Sequence, residues 1–416
     1  MNQQLSDFAA RLREAMLSEG RVIRGPDLKD EDGDSYNSPL RNFGALALEL
    51  FALQFRHNPA YRRLCGARGV TPGIVEHWTQ IPAVPTTAFK ELELSCIPPA
   101  ERTAVFHSSG TTEQKPSRHF HCAQSLEVYE ASLLSWFLAN VPPDSRFTIY
   151  DLQSDAKSAI GNRQSIICLT PPPEQAPHSS LVHMFETVRS RAGESTDRSF
   201  FGTVAADGSW TLDFNATLSA LHSSLATRHP SLVLGTAFSF VHLLDYLHER
   251  DLRFRLPPGS RAMETGGYKN RSRAMPKEAL HGLITERLGI SPENIVCEYG
   301  MSELSSQAYV VAGDKWQVAR NGNASRHLSP VTCHFRFPPW ARTQIVSPET
   351  GCEVAEGQTG LIRVFDLANV FSVMTVQTDD LGVRRGDGFE LIGRAQLAEP
   401  RGCSLMMMEG SASSFP

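Results

Sequence analysis

Apolar residues recur every three or four positions in the first part of the chain. That spacing places them on one face of a helix, with polar residues on the other. It predicts one amphipathic helix over residues 1–20 and a second over residues 40–55, packed beside the first. The apolar face of the first helix consists of Leu5, Phe8, Leu12 and Met16.

Helical periods alternate with short apolar runs between residues 124 and 299. Such alternation is typical of an α/β protein, in which helices flank a mainly parallel sheet. In open sheets of this kind, ligands bind at the carboxyl ends of the strands. The predicted helices cover residues 124–139, 179–191, 237–250 and 272–288, and the predicted strands cover residues 146–150, 164–169, 231–234, 261–265 and 294–299.

Beyond residue 315 the pattern changes to short strands separated by glycine and proline turns. Residues 360–366 and 388–392 are two of these strands. The change in pattern predicts a small β-rich subdomain that follows the α/β part of the chain.

The composition is that of a folded, soluble enzyme: 41% of the 416 residues are hydrophobic, 20% are charged, and the formal net charge is −5. A nucleic-acid binder would carry a basic surplus, so nucleic acid is not an expected partner. The eight cysteines form no CxxC pair, which argues against a disulfide framework and a structural zinc site. No secretory signal and no run of about 18 apolar residues occur, so we expect a cytoplasmic protein without a membrane span.

The segment from His107 to His119 combines small hydroxylated residues, a glycine and cations. Hydroxyl groups can donate hydrogen bonds to phosphoryl oxygens, glycine lets the backbone approach a ligand closely, and a cation offsets negative charge. The segment therefore predicts a phosphate-binding loop, and His107 is the one histidine that we single out as a candidate catalyst. The candidate phosphate contacts are Ser108, Ser109, Gly110, Thr111, Thr112 and Lys115.

Other familiar nucleotide and hydrolase motifs are missing from the sequence. It contains no GxxxxGK[ST] loop, no GxGxxG after a strand, no GxSxG elbow and no HExxH. The sequence therefore lacks the motifs that usually identify a P-loop NTPase, a dinucleotide oxidoreductase, an α/β-hydrolase or a zinc protease.

Five short segments, in this order, resemble the motifs of the adenylate-forming superfamily. Their flanks, at residues 116–120, 269–273 and 401–405, most resemble the LuxE-type acyl-protein synthetases, and the match runs from about residue 80 to residue 405. The resemblance implies an α/β fold of the superfamily's N-terminal-domain type. The five segments are Ser108–Thr112, Thr265–Lys269, Glu298–Glu303, Thr378–Gly382 and Gly393–Arg394.

The resemblance implies a role for each matching residue. Glu303 would bind Mg²⁺, Asp380 would accept hydrogen bonds from the ribose hydroxyls, and Arg394 would contact the nucleotide. ATP and Mg²⁺ are thus the implied cofactors, with CoA as an alternative thiol substrate. The remaining implied nucleotide contacts are Gly266, Tyr268, Tyr299, Gly300, Met301 and Ser302.

Two departures from the superfamily pattern stand out. Glu113 replaces the glycine that usually follows the second threonine of the loop. The superfamily usually ends in a mobile domain with a catalytic lysine, whereas this sequence has no lysine after Lys315. We therefore expect a truncated C-terminal domain and an adenylation cation from the body of the protein: Lys269 first, then Lys115 or Arg271. The expected organisation is an acyl-adenylate-forming core over residues 1–392, with a helical part at 1–80 and a β-rich part at 310–392, and a stub at 393–416.

Cys403, in that stub, matches the cysteine that accepts the acyl group as a thioester in LuxE-type synthetases. The neighbouring Arg401 favours the thiolate, and Gly402 leaves the sulfur accessible. The resemblance implies a fatty acid of medium or long chain as substrate, although an aromatic acid would fit as well. The implied partner is an acyl reductase or an acyl carrier protein.

Two alternatives stay open at the level of the sequence. The chain could be a CoA ligase or a thiol-to-thiol acyltransferase that uses neither Cys403 nor adenylation. It could also be a scaffold subunit that keeps the fold without catalysis. Candidate acyl-pocket residues do not decide between these functions, because they are equally good core residues: His183, Phe185, Phe238, Phe240, Val241 and Leu243.

Overall fold

The computed structural model describes residues 2–22, 39–108, 115–141, 165–191, 199–266, 275–310 and 334–395. Most of the predicted helices and strands occur in these ranges, whereas the strand predicted at 146–150 lies outside them. The helices there are α1 (Gln3–Val22), α2 (Phe43–His57), α3 (Pro59–Ala67), α4 (Ala88–Glu91), α5 (Ala123–Asn140), α6 (Ser180–Arg191), α7 (Phe214–Thr227), α8 (Ala237–Glu249) and α9 (Lys277–Leu288).

The strands in the described ranges belong to one large sheet and two small hairpins. They are β1 (Val84–Pro85), β2 (Ala104–His107), β3 (Arg118–His121), β4 (Ser165–Cys168), β5 (Gly202–Val204), β6 (Trp210–Leu212), β7 (Ser231–Thr236), β8 (Arg261–Thr265), β9 (Ile295–Tyr299), β10 (Ala308–Val310), β11 (Phe335–Arg336), β12 (Ala341–Val346), β13 (Thr359–Asp366), β14 (Thr375–Arg385) and β15 (Gly388–Arg394).

The N-terminal helices follow the predicted pattern. The predicted apolar face of α1 is buried, with Leu5 and Met16 fully covered, and α1 packs mainly against α5. Helix α2 begins at Phe43 because the Asn42 side chain accepts a hydrogen bond from the backbone N–H of Ala45, which satisfies a donor of the first turn. Asn58 starts α3 in the same way.

Four parallel strands form one part of the large sheet, in the order β4, β7, β8, β9. This arrangement confirms the α/β fold that the alternation of helices and strands predicts. Helix α9 begins just after Pro276, because proline lacks the N–H that a helix interior requires. The start of the helix predicted at 272–288 therefore differs from the described one, and residues 272–274 lie outside the described part of the chain.

Alternate residues of the parallel strands face two different hydrophobic cores. Val233 and Ala262 pack with α8 and α9, whereas their neighbours Leu232 and Met263 pack with α5 and α6 on the opposite face of the sheet. The period of two in the strands thus produces a layer of helices on each face. Of the candidate acyl-pocket residues, four belong to these two cores: Phe185, Phe240, Val241 and Leu243.

The β-rich region continues the same sheet. Strand β10 pairs antiparallel with β9, and β11, β15, β14, β13 and β12 follow in that order. Strand β1 pairs parallel with β14. The chain reverses direction between Tyr299 and Ala308, which are themselves paired, so the segment between them lies where the parallel and antiparallel parts meet. No helix in the described ranges is long and apolar enough to cross a membrane.

Candidate active site

The carboxyl ends of β8 and β9 lie side by side, because Thr265 pairs with Glu298 in a parallel register. The Thr265 hydroxyl donates a hydrogen bond to the Glu298 carboxylate. Gly266, the next residue, has φ +74°, a value that favours glycine. A Cβ atom at Gly300 would collide with the Glu298 carboxylate. The backbone conformation favours glycine at Gly266, and a side chain at Gly300 would displace the Glu298 carboxylate from its present position.

Glu298 is a buried acid at this edge of the sheet. Burial raises its pKa to about 7, the hydrogen bond from Thr265 opposes that shift, and the charge of Glu264 adds to it. The carboxyl group of Glu298 is therefore partly protonated near neutral pH.

A turn over residues 301–307 follows β9 and is fixed by Asp366. One Asp366 carboxylate oxygen accepts hydrogen bonds from the backbone N–H groups of Ser305 and Ser306, both at 2.9 Å. The other oxygen accepts from the Ser306 hydroxyl at 2.7 Å. The Asn369 amide donates to the Glu303 carbonyl oxygen at 2.9 Å. These contacts hold the backbone of the turn from the antiparallel side of the sheet.

Glu303 is buried within this turn, with 5% of its surface exposed. Its carboxylate accepts a hydrogen bond from the Ser302 hydroxyl at 3.0 Å, and that hydroxyl lies 3.3 Å from the hydroxyl of Ser117. Carboxylate and hydroxyl oxygens are hard donors of the kind that Mg²⁺ prefers. The donor set around Glu303 therefore fits the predicted magnesium site.

The predicted phosphate loop joins β2 to β3 and is anchored beside Glu303. The Ser108 hydroxyl accepts a hydrogen bond from the Ser117 backbone N–H at 3.0 Å, which closes the base of the hairpin. His119 Nδ1 donates to the Ser302 carbonyl oxygen at 2.9 Å. Burial lowers the pKa of His119 to about 4, so its ring is neutral at pH 7.

Lys115 lies at the C-terminal end of the predicted loop and forms an ion pair with Glu91, at 3.2 Å between Nζ and Oε2. Both side chains are at least half exposed, and exposed pairs of this kind are worth little energy. Lys115 can therefore leave Glu91 at small cost when a more negative group binds.

His107 lies at the N-terminal end of the predicted loop. Its ring stacks on that of His178, with 4.6 Å between the centroids, and its backbone N–H donates to the His178 carbonyl oxygen at 2.8 Å. Burial lowers the pKa of His107, and the charges of His178 and Arg118 lower it further. Its candidate catalytic role stays a prediction.

Tyr299, Asp380 and Arg394 meet at the antiparallel side of the site. The Tyr299 hydroxyl donates to Asp380 at 2.9 Å, and Arg394 Nε lies 3.9 Å from Asp380 Oδ1. Burial raises the pKa of Asp380, whereas the hydrogen bond from Tyr299 and the charge of Arg394 lower it. Tyr299, one of the predicted adenine contacts, is thus a neighbour of Asp380 and Arg394 in the fold, although the three residues are far apart in sequence.

The sequence reasoning missed several residues that build this site. Asp366, at the end of β13, and Asn369, just after it, form hydrogen bonds with the turn over residues 301–307. Phe335 and Phe389 pack beside the Tyr299 ring, at 6.0 and 5.3 Å between centroids. The only sequence signal for Asp366 is a lone carboxylate at the end of an apolar strand.

Several predicted site residues lie outside the described ranges. For these the structure gives no position, and their roles stay predictions. They are Ser109, Gly110, Thr111, Thr112, Tyr268, Lys269, Arg271 and Cys403.

Comparisons with known sequences match most of the chain. A model of the family described as "Acyl-protein synthetase, LuxE" matches residues 194–411. The long-chain-fatty-acid–luciferin-component ligase of Vibrio harveyi is 22% identical over 368 residues, which cover 86% of this chain and 85% of that protein. The ligase of the same name from Aliivibrio fischeri is 23% identical over 389 residues, which cover 87% and 86%.

Solved structures share the fold. A 2-hydroxyisobutyryl-CoA ligase, in an open conformation with 2-HIB-AMP and CoA, superposes with a TM-score of 0.57 at 13% identity, covering 85% of this chain and 69% of that one. Its postadenylation state with 2-HIB-AMP gives the same TM-score over 88% of this chain. At this identity the likeness concerns the fold alone, and it confirms the α/β fold that the sequence predicts.

We predict that Glu298→Gln removes a pH dependence of stability that the wild-type chain has between about pH 4.5 and 7. In that interval the unfolded chain releases the Glu298 proton and the folded chain keeps it. The wild-type free energy of unfolding therefore falls as the pH rises through the folded pKa, by on the order of 3 kcal/mol relative to the variant. Denaturant unfolding at a series of pH values measures the difference.

The matched control is Glu174→Gln, because Glu174 is exposed; its stability should follow the wild-type curve. Parallel curves for the wild type and Glu298→Gln from pH 4 to 8 would show that the folded chain does not retain the proton.

Proposed function

The chain belongs to the LuxE acyl-protein synthetase family, and from that premise we propose that it activates a fatty acid of medium or long chain with ATP and transfers the acyl group to Cys403. The acyl group then passes to a reductase or a carrier protein. We place the reaction in the cytoplasm, where ATP and reduced thiols are available. One observation supports the proposal above all: two groups of contacts lie at the same edge of the sheet. The first links Ser117, Ser302 and Glu303. The second links Tyr299, Asp380 and Arg394.

The nucleotide would bind across β9 and β14. Asp380 has the chemistry to accept hydrogen bonds from two ribose hydroxyls, and its link to Tyr299 fixes its orientation. The Tyr299 ring, with Gly266 and Tyr268, would line the adenine. Arg394 would contact the nucleotide from the end of β15, where 72% of its side chain is exposed.

The remaining residues of the β9 turn complete the nucleotide site. Gly300 would let the backbone approach the ligand closely, because glycine has no side chain. Met301 and Ser302 follow it, and the backbone of this segment is fixed by the hydrogen bond from His119 to the Ser302 carbonyl oxygen.

The triphosphate would lie between the β2–β3 loop and Glu303. Bound Mg²⁺ offsets the charge of the phosphates. Glu303 would hold that ion, and the hydroxyls from Ser108 to Thr112, with the backbone at Ser109 and Gly110, would bind the phosphoryl oxygens. The contact between the hydroxyls of Ser117 and Ser302, next to Glu303, supports this arrangement, because the transition state needs charge stabilisation close to the phosphates.

The proposed reaction has two steps. First, an oxygen of the substrate carboxylate attacks the α-phosphorus of ATP, the bond to pyrophosphate breaks, and an acyl-adenylate forms. Second, the Cys403 thiolate attacks the acyl carbonyl carbon, AMP leaves, and a thioester forms; the thiol proton is released before the attack. A cation must neutralise charge in the first step; Lys269 is the first candidate, and Lys115 or Arg271 could take that role.

Glu303→Gln tests the first step. The amide keeps the shape of the side chain and removes the negative charge that would bind Mg²⁺. We predict that acid-dependent exchange of pyrophosphate into ATP falls about a hundredfold at low Mg²⁺ and recovers partly at high Mg²⁺. The assay should use a panel of fatty and aromatic acids. The control is Glu349→Gln, since Glu349 is exposed on the loop after β12. Unchanged pyrophosphate exchange in Glu303→Gln would show that Glu303 does not bind the Mg²⁺ used in the reaction.

Cys403→Ser tests the second step. Intact-mass measurement after addition of ATP and acid should show an acyl adduct on the wild type that hydroxylamine removes, and none on the variant. Pyrophosphate exchange should persist in the variant, because adenylation does not need the thiol. Cys352→Ser is the control, since Cys352 is an exposed free cysteine.

A hydroxylamine-labile adduct on Cys403→Ser would mean that another residue accepts the acyl group. If no adduct forms on the wild type and added CoA is acylated instead, the CoA-ligase alternative is correct.

A further inference from the structure

A buried cluster of a carboxylate, an imidazole and a thiol lies beneath α9, beside the candidate active site. Glu264 and Cys297 are paired neighbours on β8 and β9, and His281 reaches them from α9. His281 Nε2 lies 3.4 Å from Glu264 Oε1 and 3.6 Å from Cys297 Sγ. All three potential ligand atoms lie within 4.8 Å of one another.

The distances from His281 Nε2 to Glu264 Oε1 and to Cys297 Sγ match those between ligands that share one metal ion. Zinc binds thiolate sulfur at about 2.3 Å, imidazole nitrogen at about 2.0–2.1 Å and carboxylate oxygen at about 2.0–2.2 Å, in a tetrahedral arrangement. At a tetrahedral angle, two such ligand atoms lie about 3.3–3.6 Å apart. As a direct hydrogen bond, by contrast, the 3.4 Å contact between His281 and Glu264 is longer than usual.

From this geometry we infer that Glu264, His281 and Cys297 form a binding site for a divalent transition metal, with Zn²⁺ as the best chemical match. A mixed set of sulfur, nitrogen and oxygen ligands suits Zn²⁺ and does not suit Mg²⁺ or Ca²⁺, which take oxygen ligands. The three ligands leave a fourth position of the tetrahedron for water or another group. Metal binding releases the Cys297 thiol proton.

Lys277 is the group that competes with the metal. Its Nζ lies 3.9 Å from Glu264 Oε1 and 4.8 Å from the centre of the Phe335 ring. A lysine this close offsets the charge of Glu264 when no metal is bound, and repels an incoming cation. About a third of its side chain is exposed, so it can turn towards solvent when the metal binds.

Because of the position of the cluster, a bound metal would affect the structure of the active-site edge. Glu264 and Cys297 directly precede Thr265 and Glu298, whose side chains meet at the active-site edge. A shared ion would connect α9 to the ends of both strands, and so would stabilise that edge of the sheet. The sequence gives no sign of this site, because its three ligands come from two strands and a helix rather than from one compact motif.

The test is titration of the metal-stripped full chain with Co²⁺, which replaces Zn²⁺ in such sites and is coloured. We expect about one equivalent to produce a thiolate-to-cobalt charge-transfer band and the visible bands of four-coordinate Co²⁺, and Zn²⁺ to remove them. Cys297→Ser should lose the charge-transfer band, and His281→Gln should bind Co²⁺ at least about tenfold more weakly. Cys352→Ser should behave as the wild type.

Lys277→Met is expected to increase the affinity for Co²⁺, a result that a misfolded variant would not give. Removal of the competing cation should tighten Co²⁺ binding at least about tenfold. The inference is overturned if the wild type gives no charge-transfer band, or if that band survives Cys297→Ser in full. It is also overturned if Lys277→Met does not tighten Co²⁺ binding. These readouts do not involve acylation, so their outcome is independent of the proposed function.

Discussion

The buried carboxylate of Asp366 is the interaction on which the candidate site depends. It accepts hydrogen bonds from the backbone N–H groups of Ser305, Ser306 and Ala368 and from the Ser306 hydroxyl. Burial raises the pKa of Asp366 to about 6, and these hydrogen bonds oppose the shift. A buried carboxylate is costly unless its oxygens are satisfied. The turn that provides these donors is therefore held in one conformation.

That turn joins the two parts of the sheet. It follows the last parallel strand and leads into the first antiparallel one. It also contacts the β2–β3 hairpin: His119 donates to the Ser302 carbonyl oxygen, and the Ser117 hydroxyl lies beside the Ser302 hydroxyl. The network extends to α5, since the Ser132 hydroxyl lies 2.9 Å from that of Ser306 and accepts a hydrogen bond from Trp340 at 2.8 Å. The turn that carries Glu303 is thus held by contacts from the β2–β3 hairpin, from Asp366 and from Asn369.

Much of this arrangement could be predicted from the sequence, for definite physical reasons. The parallel strands are short apolar runs between amphipathic helices, so their order and the side on which ligands collect follow from general rules. Gly266 and Gly300 stood out in motifs; the positive φ of Gly266 favours glycine, and a side chain at Gly300 would meet the Glu298 carboxylate. The contact of Asp380 with Tyr299 and Arg394 agrees with the grouping that the motifs imply.

Other parts could not be predicted, because they depend on contacts between remote segments. Asp366 looks like the polar end of an ordinary strand until the turn at Ser305 is placed against it. Lys115 looks like a phosphate ligand, yet in the structure it pairs with Glu91, a residue from α4. The cluster of Glu264, His281 and Cys297 exists only once α9 lies across β8 and β9. In each case tertiary packing determines the contact partner, which the local sequence pattern does not reveal.

The most direct test of the account is the Mg²⁺ dependence of acid-dependent pyrophosphate exchange in Asp366→Asn. The amide nitrogen cannot accept the hydrogen bonds that hold the turn, so Glu303 should lose its fixed position while its own charge is unchanged. We predict that the folded variant needs about tenfold more Mg²⁺ for half-maximal exchange. A folded Asp366→Asn protein with the Mg²⁺ requirement of the wild type would contradict the claim that Asp366 positions the site.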